Sequence, residues 1–194
     1  MNKIILLDLD GVVIRPRHKY FSDKFSEEYN IPIEEILPFF RKEYKLAAKG
    51  EVSVREVLPD YLNKWRWKVT VEEFLNYWFE GETTLDENLL VEVGKLREQG
   101  IKVYLVSDNG RERANFVMEK VGLKNRFDGA FFSCDLGFTK NEQDFFKEIL
   151  DKLKVNSDNI EYWDDDPVNI EVAKSAGIKN AKVYTSFEEF KKEK

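Results

Sequence analysis

The chain carries one cysteine and one histidine among 194 residues. Cys134 alone excludes an intramolecular disulfide and accords with a reducing compartment. With only His18 to draw on, a histidine-rich metal site is excluded. A Ser-His-Asp triad is not expected either. Long apolar runs are missing as well. The opening "MNKIILLDLDGVV" is interrupted by Asp8 and Asp10, and no later segment approaches the about 18 apolar residues of a membrane span. Neither a signal peptide nor a membrane partner is expected. There is no basic excess: 31 basic and 37 acidic residues leave a net charge of −6, a surface that repels phosphate backbones and argues against nucleic acid. Repeats, low-complexity tracts and flexible linkers are also lacking. These absences leave a cytoplasmic globular protein, and 42% hydrophobic residues are enough for a proper core.

What is present falls into two textures. Short apolar runs at Lys3–Leu9, Ile101–Ser107, Ala130–Ser133, Ile160–Trp163 and Ala181–Tyr184 read as buried parallel strands. Helical stripes lie between them. Leu89, Leu90, Val93 and Leu96 are closed by Gly100, and Phe116, Val117, Val121 and Leu123 end near Gly122. Phe145, Phe146, Ile149, Leu150 and Leu153 form a third stripe, and Ile170, Ala173 and Ala176 a fourth that stops at Gly177. Ser186 and Glu189 form a capping-box pattern for a last helix. The alternation predicts an α/β fold with a doubly wound, Rossmann-like parallel sheet. Residues 15–84 break the rhythm. They read as helices only, with a capping box at Thr70 and Glu73 and breaks at Pro32, Pro38, Gly50 and Pro59. Fourteen of the chain's 27 aromatics lie there. The expected organisation is a core of residues 1–14 and 85–194 with a small all-helical domain, 15–84, inserted after the first strand.

In open α/β sheets ligands bind beyond the carboxyl ends of the strands. The first strand ends at Asp8, Asp10 and Gly11, the second at Ser107, Asp108 and Asn109, and the fourth at Asp164, Asp165 and Asp166, while Lys140 follows the third. Singly, each has an ordinary explanation; Asp166 before Pro167 reads as a helix N-cap. Together, Asp8, Asp10, Asp164 and Asp165 at one edge would repel one another. A hard cation with oxygen ligands removes that penalty, and Mg²⁺ suits it.

These stretches closely resemble the four motifs of the haloacid-dehalogenase-like (HAD) hydrolase superfamily. They are "IILLDLDGVV", "VYLVSDNG", "LGFTKNEQDFF" and "IEYWDDDPVNIEVAKSAGI", in family order. The insert resembles the family's helical cap. The resemblance implies Asp8 as nucleophile and Asp10 as general acid and base, with its backbone carbonyl on the metal. It implies Ser107 and Lys140 on the phosphoryl group, with backbone N–H groups of the Gly11 turn and of Asp108 beside them. Asp8, Asp10, Asp165 and Asp164 would then serve Mg²⁺, Asp165 directly and Asp164 through water or as partner of Ser107 and Lys140. The activity implied is a phosphatase acting on a small phosphorylated metabolite. A phosphomutase and a non-catalytic phosphate- or metal-binding relative are the alternatives. The family's dehalogenases lack the second aspartate, so Asp10 argues for phosphorus. Two positions depart from the pattern: Asp108 follows Ser107 where asparagine is usual, and Asn141 follows Lys140 where proline is usual. The basic stretch Arg15, Arg17, His18 and Lys19 reads as a linker that could also reach an anionic part of the substrate. Cys134 has no histidine to activate it and reads as structural.

Overall fold

The computed structural model describes residues 3–16 and 18–194; Arg17 of the basic stretch lies outside them. The apolar runs form five strands: β1 (Ile4–Asp8), β2 (Lys102–Ser107), β3 (Gly129–Phe132), β4 (Ile160–Asp164) and β5 (Asn180–Val183). All pair in parallel, in the order β3-β2-β1-β4-β5. Asp8 is level with Val106 and Asp164 with Val183, so both aspartates sit at the same edge of the sheet. The chain winds outward from β1 to β3, then crosses back to β4, which places the switch point between β1 and β4.

Helices α1 (Phe21–Tyr29), α2 (Ile33–Pro38), α3 (Tyr44–Ala48), α4 (Val54–Lys64) and α5 (Val71–Gly81) follow β1. They close on their own apolar cluster, with Phe25, Phe39, Phe74, Trp65 and Trp78 buried and Trp67 packed against them. Rings meet mostly edge-to-face, as at Phe25–Phe74 and Phe40–Trp78. The exit and return segments run side by side. Arg15 N–H donates to the Thr84 carbonyl and Asp86 N–H to the Val13 carbonyl, at 2.8 and 2.9 Å.

Two expected breaks do not occur. Pro59 lies inside α4, and at Pro38 the helix widens into a π turn, Phe39–Glu43, that runs on into α3. A proline removes one N–H and crowds the carbonyl four residues back. Here Ile36, Phe39 and Leu58, all fully buried, hold the backbone helical on both sides. Pro32 and Gly50 do interrupt helices. Thr70 and Glu73 form the reciprocal capping box. Ser186 accepts from Glu189 N–H, but the Glu189 carboxylate turns to Lys192, so that box is half made.

Alternation along β1 explains the two layers beside the sheet. Ile5 and Leu7 pack with α6 (Glu87–Glu98) and α7 (Arg111–Asn115), while Ile4 and Leu6 pack with α9 (Gln143–Leu153) and α10 (Pro167–Ser175). Between these, α8 (Ser133–Leu136) follows β3, and α11 (Phe187–Lys192) adds Phe190 to the first layer beside Trp163. The expected third stripe is α9 and the fourth α10. The stripe at Phe116–Leu123 is a π turn, Phe116–Lys120, continuing α7. Among the described residues no helix is long and apolar enough to cross a membrane.

Candidate active site

Sheet geometry alone brings the acidic strand ends together. Asp8 leaves β1 2% exposed and Asp164 leaves β4 with no exposure. Carboxylate oxygens of Asp8, Asp164 and Asp165 lie within 4.8 Å of one another. Lys140 reaches between the first two, its Nζ 2.6 Å from Asp8 Oδ1 and 2.8 Å from Asp164 Oδ2. Burial pushes the Asp8 carboxyl well above its usual range; Lys140 opposes this and the Asp164 charge adds to it. Burial also works against the ammonium of Lys140, but Asp8, Asp164 and Asp108 outweigh it and push its pKa up. Asp165, partly desolvated and next to Asp164, is raised as well.

Asp164 is surrounded by donors. Its carboxylate accepts from Lys140, the Tyr162 hydroxyl, the Asn169 amide at 3.2 Å and the Asp166 N–H at 2.8 Å. Asp165 remains exposed at the mouth. A side chain on Gly11 would be strained, because its φ is +106° and a Cβ would stand 2.2 Å from Asp165 Oδ2 unless that carboxylate moved. Three carboxylates against one ammonium leave two negative charges, and the donors are all oxygen. That set fits one hard divalent cation such as Mg²⁺.

Asp8, Asp10, Ser107, Asp108, Lys140, Asn141 and Asp165 line one cavity of about 400 Å³. It adjoins a second, about 580 Å³, that shares Asp108 and Asn141 and reaches Tyr44, Lys45 and Lys49 of the helical block. A third, about 290 Å³, shares Asp10 and Asp165 and runs past Gly11 to His18, Lys19 and Tyr20. Within the turn after β1, Gly11 N–H donates to the Ile14 carbonyl at 2.8 Å. The Asp108 carboxylate accepts the Lys140 N–H at 2.9 and 3.2 Å. Burial raises the Asp108 carboxyl, against the pull of Lys140. Cys134 is buried and its thiol is pushed up to about 11 by desolvation.

Several site residues escape a reading of motifs. Asn109 donates to Ser107 Oγ at 2.7 Å and to Asp10 Oδ2 at 2.9 Å. Arg113 Nη2 lies 3.0 Å from Asp10 Oδ1. Tyr162 and Asn169 hold Asp164. Arg113 stands in α7 between Glu112 and Ala114, and no motif in the sequence marks it.

A doubly wound sheet whose carboxyl edge gathers three aspartates around a lysine defines a Rossmann-like enzyme built on carboxylate chemistry. The family model described as haloacid dehalogenase-like hydrolase matches residues 2–177, and the chain belongs to this family of hydrolases. A protein of Caldanaerobacter subterraneus subsp. tengcongensis that carries the name pyrophosphatase PpaX is 27% identical, over 98% of this chain and 86% of that relative. A phosphorylated carbohydrates phosphatase of Thermotoga maritima is 25% identical, over 90% and 81%. The fold also matches a HAD family enzyme of Bacteroides thetaiotaomicron solved as a magnesium complex. That likeness has a TM-score of 0.78 and 21% identity, covering 95% of this chain and 92% of that one.

Proposed function

We propose that this hydrolase is a Mg²⁺-dependent phosphatase that passes the phosphoryl group of a small phosphorylated metabolite through Asp8. The observation that carries the reading is the buried Asp8–Lys140–Asp164 group beside exposed Asp165. Asp8 and Asp165 would hold the ion directly, with the backbone carbonyl of Asp10. Asp164, engaged by four donors, would position Lys140 and act on the ion through water. Bound there, the cation supplies positive charge to the transferring oxygens.

The chain's own residues do the rest. Asp8 is held by Lys140 at the cavity floor, and one of its oxygens attacks phosphorus as the bond to the leaving oxygen breaks. Asp10 gives its proton to that oxygen. A water then attacks the phosphorus, Asp10 takes the water's proton, and the bond to Asp8 breaks to release inorganic phosphate. Lys140 and the Ser107 hydroxyl, whose oxygen already accepts from Asn109, steady the non-bridging oxygens. Residues 15–84 would serve as the cap. The cavities they share with the core are sized for small molecules, and the phosphatase names of the relatives point the same way.

Phosphate release from p-nitrophenyl phosphate, with Mg²⁺ and with chelator, tests the reading. Turnover is expected to require the metal and to vanish in Asp8→Asn while the far-ultraviolet spectrum stays that of the wild type. Appreciable release by that variant would remove Asp8 as nucleophile. Loss of substrate phosphoryl without free phosphate would mark a mutase.

A further inference from the structure

Arg113 is a charged side chain that the fold takes almost wholly out of water, 2% exposed, and the reaction just described makes no use of it. A buried guanidinium is tolerated only where its charge and donors are met. Its Nη2 meets Asp10 Oδ1 at 3.0 Å. Its Nη1 lies 3.5 Å from both the Phe79 carbonyl and Thr83 Oγ1, where the helical block rejoins the core. The guanidinium carbon stands 5.5 Å from the Phe79 ring. Among the described residues Nε has no hydrogen-bond partner. The side chain is therefore aimed rather than fully satisfied. The other oxygen of Asp10 is taken by Asn109, whose own amide oxygen accepts from the Tyr44 hydroxyl at 2.9 Å. Both carboxylate oxygens of Asp10 are bracketed, each by a residue whose far side touches the helical block.

We propose that Arg113 is a positioning residue for Asp10, fixing the plane of its carboxylate and so the direction in which the proton reaches the leaving oxygen. The inference rests on the phosphatase reading, with Asp10 as acid. A terminal carboxylate rotates freely when unrestrained, and stability alone is served as well when apolar side chains of like volume replace a buried ion pair whole. The proton moves from Asp10 to the ester oxygen as the P–O bond breaks, and Arg113 keeps its own protons throughout.

The distinction between positioning and mere support lies in the leaving group. p-Nitrophenolate departs from phosphorus with little help, whereas an alkoxide needs the proton. The experiment compares kcat/KM for p-nitrophenyl phosphate and for the best alkyl phosphate of a metabolite panel, in wild type, Arg113→Met and Arg113→Lys. Arg113→Met is expected to lose at least about tenfold more on the alkyl ester than on the aryl ester, part of the 10²–10⁴ that a placed acid contributes. Arg113→Lys is expected to close part of that gap. Equal losses on both esters, with lysine no better than methionine, would overturn the proposal. Should Arg113→Met fail to fold, Arg113→Lys is read alone, a selective alkyl loss supporting and an equal loss overturning it. Wild type without metal-dependent turnover, or an active Asp8→Asn, would instead sink the phosphatase reading beneath it.

Discussion

Lys140 keeps two buried carboxylates from facing each other unshielded. Replacing it by methionine preserves its length but strands both charges. Lys140→Met is expected to lose activity and, measured by urea unfolding without metal, to cost about 3–5 kcal/mol, as breaking a buried pair does. Added Mg²⁺ is expected to restore part of that stability, since the cation supplies some of the lost charge. The residues that anchor this group were legible in sequence because strand ends and motif order mark them: Asp8, Asp10, Ser107, Lys140, Asp164 and Asp165 all reach one edge. The orientation of their neighbours was not. Asp108 reads as a stray charge beside a phosphate, yet it binds the Lys140 N–H. Arg113 carries no motif, and it is buried. Local pattern records which face of an element a residue occupies, and the partner comes from a segment tens of positions away.

At the scale of elements, the link between α3 and α4 rests directly on the core. Gly50 has φ +73° there, and a Cβ would stand 2.4 Å from the Cys134 carbonyl oxygen. On either side Lys49 pairs with Glu142 at 2.9 Å and Ser53 donates to Glu112 at 2.7 Å. Gly50→Ala is expected to cost about 1–3 kcal/mol in thermal unfolding, the toll of a side chain in a left-handed conformation with no room. Faster hydrogen exchange confined to residues 47–56 would locate the damage, and an unchanged melting temperature would contradict it. The five strands were readable because a sheet covered on both faces needs continuous apolar runs. Helix ends in the aromatic block were less so. Pro38 and Pro59 punctuate the sequence, but packing around Phe39 and Leu58 overrides them.

Over the whole molecule, acid sensitivity has an identifiable contributor away from the site. Glu161 on β4 is buried, which alone would raise its pKa, but bonds from Lys194, Lys3 and Trp163 bring it below the usual value. Burial also lowers Lys194, which opposes the pair; the three donors converging on Glu161 decide the balance. A depressed carboxyl means that the unfolded chain binds the proton first as pH falls. The stabilisation is thus complete above the unfolded value of about 4.3 and drains away as pH drops through the lower folded value. Urea midpoints taken stepwise below pH 5 are expected to fall less steeply in Glu161→Gln than in wild type; parallel curves would assign the acid limb elsewhere.

The four tryptophans divide unevenly between the two parts of the chain. Trp65, Trp67 and Trp78 belong to the aromatic cluster of the helical block, and Trp163 immediately precedes Asp164 in the sheet. Three of the four indoles that can fluoresce therefore lie in the block. Trp78, whose indole N–H bonds Glu82 at the return to the core, sits where a change in the block's seating would alter its surroundings. Excited at the red edge of tryptophan absorption, where tyrosine does not absorb, a Trp163→Phe chain would emit from the block alone, an intrinsic optical label on that part of the molecule that needs no dye.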